Sequence, residues 1–356
     1  MTDKPAIALR GVTKIFGPEP DKALALLNEG RSKPEVQAET RHVVGLNDVS
    51  LDVNGGEIYV VMGLSGSGKS TLIRHVNRLI EPTAGEIHVN GSDVLAMNRA
   101  ELRDFRRNRI AMVFQKFGLL PHRSVLDNVA YGLEVRGVPR RQRQETAAQW
   151  IETVGLKGYE ETAPRQLSGG QQQRVGLARA LAMDTDIILM DEAFSALDPL
   201  IRSGMQDELV TLQKRLKKTI LFITHDFDEA LKIADRMAVL MDGSVIQEGK
   251  PEEIVLNPAN RHVEEFVRDV NKARAIHVKT IMTRGPFEPC ELSVPETARC
   301  EEVLPLFAEH KWVGVVDGAG RQLGRVTAKQ VIDALAKHTP APASASQAAA
   351  TAAAAE

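Results

Sequence analysis

The chain has 356 residues, room for one large domain, a smaller one and connecting sequence. Its 45 Lys+Arg against 47 Asp+Glu leave a formal net charge of −2, which argues against broad electrostatic capture of nucleic acid or anionic lipid and makes any anion site local. Two cysteines, Cys290 and Cys300, give neither a disulfide framework nor zinc-ligand spacing, the charged start MTDKPAIALR is not expected to be a signal peptide, and no apolar run approaches the roughly 18 residues of a membrane span.

Along the chain, apolar runs bounded by glycine or aspartate alternate with helical patterns up to about residue 265, which predicts an α/β domain on a largely buried sheet. After VTKIFG, the segment from Gly17 to about Arg41 lacks strand character, and ALALLNEG predicts a short helix within an insertion at about 18–42. IYVVM (58–62), IAMVF (110–114), IILM (187–190), TILFIT (219–224) and RMAVLM (236–241) are the predicted strands. The pattern then restarts as a compact strand, helix, strand, strand, helix unit. In it Cys300, Val303, Leu304 and Phe307 fall at helical spacing, Pro305 disturbs that helix, and Thr327 with Gln330 has capping-box spacing before the last helix. The expected domains are therefore 1–268, 277–338 and an Ala/Pro-rich disordered tail at 339–356.

Chemistry concentrates in three places. GLSGSGKS at 63–70 follows a predicted strand and precedes a helix, the context that makes a phosphate-loop pattern specific. Gly63, Gly66 and Gly68 let the backbone amides around Leu64, Ser65 and Ser67 turn toward phosphate oxygens, helped by the helix N-terminus. Lys69 reaches the β/γ-phosphates, and Ser70, beside Thr71, offers a hydroxyl to Mg²⁺. IILMDE ends a buried strand in two carboxylates: Asp191 is placed to hold Mg²⁺ and Glu192 to act as general base for water, a role worth about 10²–10⁴ in rate. In LSGGQQQRVGLARAL (167–181), Ser168 and Gln171 form a capping box, with Gly169 and Gly170 baring the backbone at the mouth of a helix that runs through Val175, Ala178 and Leu181. This is a second phosphate-binding helix end, more than one triphosphate needs from one chain.

At LSGGQ the sequence resembles the ATP-binding cassette (ABC) family, in which the signature of one subunit closes over the phosphate loop of the other. The resemblance implies an α/β phosphate-loop ATPase fold with a helical subdomain, and ATP and Mg²⁺ as cofactors. It implies that Gln115 touches the metal or attacking water, that Asp198 in SALD crosses the dimer interface, that His225 after TILFIT holds the γ-phosphate, and that Phe16 stacks on adenine. Long stretches such as RRNRIAMVFQKFGLLPHRSVLDNVAYGLE and LMDEAFSALDPLIRSGMQDEL further resemble the ATPase subunit of importers for glycine betaine, choline or proline betaine. That implies a homodimer on the cytoplasmic face of the inner (plasma) membrane, held there by a permease that is served by a periplasmic or lipid-anchored solute-binding protein.

Residues 277–338 are similar to one cystathionine-β-synthase-type (CBS) motif of a usual tandem pair. A lone unit is expected to expose a sheet face lined by Val313, Val315, Val316, Leu323 and Val326. Two other readings compete with the importer. A different cargo, such as an amino acid or a sulfonate, keeps the same machinery. A soluble ABC ATPase acting on ribosomes or DNA would need a second cassette or long coiled coils, and the sequence has one of each motif and no sustained heptads.

Overall fold

A computed structural model of the chain describes residues 4–336 apart from 116, 196, 269, 286, 288 and 289; the tail expected at 339–356 lies outside the described residues. Two units divide between Lys250 and Pro251.

In the first unit β1 (Ile7–Phe16) leads into the insertion, which holds α1 (Pro20–Asn28) and α2 (Lys33–Thr40) where the sequence predicts one helix. The second helix starts where the Ser32 backbone N–H donates to the Glu35 carboxylate (2.8 Å). Ala23 and Val36 bury against Ile15 in a small core of their own, and the His42 ring nitrogens lie against the carbonyl oxygens of Thr40 and Pro18 at the neck. The chain returns as β2 (Val43–Val53), antiparallel to β1.

The fully buried β3 (Ile58–Met62) runs through the glycine loop into α3 (Lys69–Val76). Next, β4 (Ala84–Val89) and β5 (Ser92–Asp93) complete an antiparallel sheet of order β2-β1-β4-β5. After α4 (Arg99–Asn108) and β6 (Ile110–Val113) comes a helical subdomain of α5 (Val125–Val135), α6 (Arg140–Thr153) and α7 (Gly169–Ala182). Its separate core includes Val125, Val129, Ile151, Val175 and Ala178.

The unit ends with β7 (Ile187–Asp191), α8 (Pro199–Leu216), β8 (Thr219–Thr224), α9 (Phe227–Ile233), β9 (Arg236–Met241) and β10 (Ser244–Gly249). The second sheet has the order β10-β9-β3-β8-β7-β6, and every pair but β10–β9 is parallel. Strands covered on both faces read as unbroken apolar runs, which is why β3, β7 and β8 are buried at every position. Leu72, Ile73 and Val76 of α3 are fully buried among side chains of both sheets, each contributing about 1.5–3 kcal/mol of apolar burial. In register, Met62 lies opposite Thr224 and Asp191 opposite Ile223, so β3, β7 and β8 end level with one another. Ligand crevices in such sheets open at the carboxyl ends of the strands.

The second unit begins with α10 (Pro251–Leu256) and α11 (Arg261–Val267), earlier than the boundary expected near 268. The reason is polar as well as apolar: Glu252, on α10, accepts hydrogen bonds from His277 and Thr280. It continues through α12 (Lys272–Ala275), α13 (Val278–Ile281), β11 (Thr283–Arg284), β12 (Ser293–Pro295), α14 (Cys300–Val303), β13 (Trp312–Val316), β14 (Gln322–Thr327) and α15 (Ala328–Ala336). The sheet order is β11-β14-β13-β12. Pro305 acts as anticipated: α14 stops at Val303 and the chain tightens into a 3₁₀ turn over Leu304–Ala308. The expected exposed face is mostly covered: Val313, Val315 and Val326 are fully buried where α15 and the 3₁₀ turn pack on the sheet, while Val316 and Leu323 are half-buried. Among the described residues no helix is long and apolar enough to cross a membrane.

Candidate active site

The loop after β3 depends on glycine. At Gly63 (φ +159°) a Cβ would lie 2.1 Å from the Leu240 carbonyl oxygen, and at Gly68 (φ +104°) 2.6 Å from that of Gly45. At Gly66 the same atom would meet nothing within 4 Å, so the loop opens there, with Leu64 and Ser65 exposed on its rim. Ser67 is buried and its Oγ has no hydrogen-bond partner, a cost that a phosphate oxygen would relieve. An open cradle, an orphaned hydroxyl and the N-terminus of α3 together fit a phosphate chain.

Lys69, 4% exposed, donates from Nζ to the carbonyl oxygens of Gly63 (2.8 Å) and Leu64 (3.0 Å). Burial pushes its pKa down, opposed by the nearby Glu192 and Asp191 carboxylates. Thr71, half-buried one turn before His75, has its carbonyl oxygen 2.6 Å from His75 Nδ1.

Asp191 closes β7. The Ser70 hydroxyl donates to its Oδ1 (2.8 Å) and Arg74 to its Oδ2 (3.2 Å). Among the described residues no group of three or more His, Cys, Asp or Glu is arranged to hold a metal unaided. The Ser70–Asp191 oxygen pair fits the smaller demand of Mg²⁺, which binds through one or two protein oxygens plus substrate phosphates.

Glu192 follows with φ +46°, a left-handed conformation that non-glycine residues adopt at a cost of about 1–3 kcal/mol. Its N–H donates to the Ile223 carbonyl oxygen of β8 (3.1 Å), which fixes the turn. Three side chains from three other elements converge on its carboxylate. Lys69 Nζ lies 3.7 Å and His225 Nδ1 3.4 Å from Oε1, while Gln115 Nε2 donates to Oε2 (2.9 Å). A carboxylate so held is oriented, and its lone pairs remain able to take a proton from water.

Phe16 is 41% exposed at the end of β1, with its ring over Gly45: a Cβ on that glycine would sit 2.7 Å from Phe16 Cε2. Since Gly45 also abuts Gly68, Phe16 flanks the loop despite its distance in sequence. The capping box at Ser168 forms as predicted, the Ser168 N–H donating to Gln171 Oε1 (2.9 Å) and the Gln171 N–H to Ser168 Oγ (3.3 Å). Among the described residues no hydrogen bond or ion pair joins Ser168, Gly169, Gly170 or Gln171 to the Lys69–Glu192 cluster. Instead Gly170 packs against Ile201, one turn into the helix that Asp198 caps by accepting from the Ile201 N–H (3.1 Å). Both Ser168 and Asp198 are exposed.

Two arginines went unnoticed in the sequence. Arg74 lies one helical turn beyond Ser70, so both face Asp191; that i,i+4 spacing was the available signal. Arg202, one turn beyond Asp198, donates to Asp226 (3.1 Å) and to the Leu197 carbonyl oxygen (3.0 Å), tying the SALD stretch to the residue after His225.

The level strand ends, the phosphate loop and the separate helical subdomain define an ATP-binding cassette, and the chain belongs to the ABC transporter family, whose sequence pattern matches residues 46–195; it is an ABC ATPase. Within that family it is 54% identical over 279 residues to the glycine betaine transport ATP-binding protein OpuAA of Bacillus subtilis (strain 168), covering 78% of this chain and 67% of that protein. Against the trimethylamine N-oxide transport system ATP-binding protein TmoW of Ruegeria pomeroyi, identity is 48% over 326 residues, 89% of this chain and 96% of that one. The dimeric structure of a post-hydrolysis state of the ATP-binding cassette MJ0796, bound to ADP and Pi, aligns with a TM-score of 0.58 at 32% identity over 69% of this chain and 98% of its own.

Proposed function

We propose that this chain is the ATP-hydrolysing subunit that energises import of glycine betaine, choline or a related methylated amine through a membrane permease. The observation that carries the catalytic half is the convergence of Lys69, Gln115 and His225 on Glu192. In this reading Glu192 takes the proton of the attacking water, Gln115 orients that water and senses the permease, and His225 and Lys69 hold the γ-phosphate. Phe16 stacks on adenine, and the backbone amides of residues 63–71 cradle the phosphates. Ser70 and Asp191, with Gln115, would hold Mg²⁺, whose charge offsets that of the phosphates.

Ser168 to Gln171 and Asp198 serve a second copy of the chain, since among the described residues no hydrogen bond or ion pair joins any of them to this chain's own loop. The dimer sits peripherally on the cytoplasmic face of the plasma membrane through the permease, and a solute-binding protein presents the cargo outside. The order of the second unit's sheet and the Thr327-capped α15 support reading 277–338 as one CBS-like unit.

The cargo follows the relatives. Glycine betaine transport is the function named for OpuAA, whose percent identity to this chain is the higher of the two, 54% against 48%, over a shorter match. Trimethylamine N-oxide is the second reading, favoured by one observation: the match to TmoW covers 89% of this chain and 96% of that protein and so extends into the second unit. Both solutes carry three methyl groups on a four-bonded nitrogen with a formal positive charge. Uptake of radiolabelled glycine betaine, choline and trimethylamine N-oxide in cells lacking the gene, restored with wild type or Glu192→Gln, tests the proposal. Wild type should restore uptake of at least one of the three and the variant of none; restoration by neither, or of an unrelated amino acid only, would overturn the assigned cargo class.

A further inference from the structure

The insertion between β1 and β2 plays no part in the hydrolytic account, yet it brings a charge to the phosphate loop. Lys33, the first residue of α2, donates from Nζ to the Val44 carbonyl oxygen of β2 (3.1 Å). The next residue on that strand is Gly45, which lies under the Phe16 ring and turns its carbonyl oxygen toward Gly68 of the phosphate loop. On its other flank the ammonium meets Gly243, where a Cβ would stand 2.5 Å from Nζ. Gly243 in turn holds the loop, its N–H donating to the Ser67 carbonyl oxygen (2.9 Å). One ammonium thus touches both the strand beneath the exposed aromatic ring and the turn that braces the cradle.

Its charge lacks a direct ion pair. Among the described residues no carboxylate lies within 4.0 Å of Lys33. Burial lowers its pKa, and the attraction of Asp242 only partly opposes this. Placing a cation half out of water without a paired anion is costly unless something anionic arrives. The insertion's private core of Ile15, Ala23 and Val36 keeps α2, and hence Lys33, in place.

We propose that the insertion completes the nucleotide site, with Lys33 Nζ acting as a second cation, besides Lys69, for the phosphates of ATP on the Gly45–Gly243 flank of the loop. This rests on reading residues 63–71 as the phosphate loop. The alternative is a strap whose only task is to tie the insertion to β2 at Val44.

The full-length chain, as wild type, Lys33→Ala, Lys33→Arg and Lys69→Ala, can be titrated with ATP, ADP and adenosine by calorimetry, with melting temperatures recorded alongside. Lys33→Ala should weaken ATP and ADP about tenfold, the loss of one charged hydrogen bond, and leave adenosine unaffected, while Lys33→Arg recovers most of the affinity. A strap would show the opposite: Lys33→Ala and Lys33→Arg equally impaired, with ATP and adenosine affinity falling together alongside the melting temperature. Weaker ATP binding in Lys69→Ala but not in Lys33→Ala overturns this inference alone, and undiminished binding in both overturns the phosphate-loop reading with it.

Discussion

The proposed proton acceptor must be held firmly without being neutralised, and Glu192 is held by an amide, an imidazole and a buried ammonium at 3.7 Å rather than by one tight ion pair. Lys69 is the most sensitive of the three, because among the described residues its desolvated charge is balanced only by backbone oxygens and the two carboxylates. Lys69→Ala should therefore weaken ATP binding by about 10- to 100-fold, measured by nucleotide titration, as expected for losing a charge-assisted contact to phosphate. Gly68 carries a different constraint. With φ +104° and the Gly45 carbonyl oxygen 2.6 Å from where a Cβ would stand, Gly68→Ala should cost about 1–3 kcal/mol in chemical denaturation and distort the loop.

At the scale of elements, α10 is tied to the second unit by Glu252. Burial opposes ionisation of this carboxyl, but hydrogen bonds from His277 (2.9 Å) and Thr280 (3.0 Å) outweigh it and hold the pKa below 4.5. A folded-state pKa below the unfolded one adds stability that is fully present above pH 4.5 and disappears as pH falls through the folded value. Glu252→Gln should thus lower the unfolding free energy of this unit by about 1–2 kcal/mol at pH 7 and by progressively less in acid, read from denaturant melts across that range. The same elements show what a sequence discloses. The parallel strands were legible because burial on both faces leaves an unbroken apolar run, and α7 because Ser168, Gln171 and the apolar spacing agree. Helix α2 was not, since Val36 is its one buried residue in a polar octet and only the Ser32–Glu35 pair marks its start. The boundary at Lys250 was missed because Glu252, His277 and Thr280 meet only in three dimensions. The valines of β13 and β14 were misplaced because alternation marks a buried face without saying which element of the same unit covers it.

For the whole molecule, the proposal of shared sites turns on the Ser168 end of α7, which among the described residues no hydrogen bond or ion pair joins to the chain's own phosphate loop. Mixing Lys69→Ala with Ser168→Arg subunits should give hybrid dimers with one composite site intact and one doubly broken, whereas each parent homodimer has both sites damaged. ATP hydrolysis should partly recover on mixing; its absence in proven heterodimers would count against shared sites. The central claim, that Glu192 draws the proton from water in a site whose binding groups lie elsewhere, is met most directly by steady-state phosphate release from Glu192→Gln beside wild type at saturating ATP. The amide keeps bulk and hydrogen bonding but cannot take the proton, so turnover should fall by about 10²–10⁴-fold while ATP affinity is retained and an ATP-bound dimer accumulates. Turnover close to that of wild type would contradict the account.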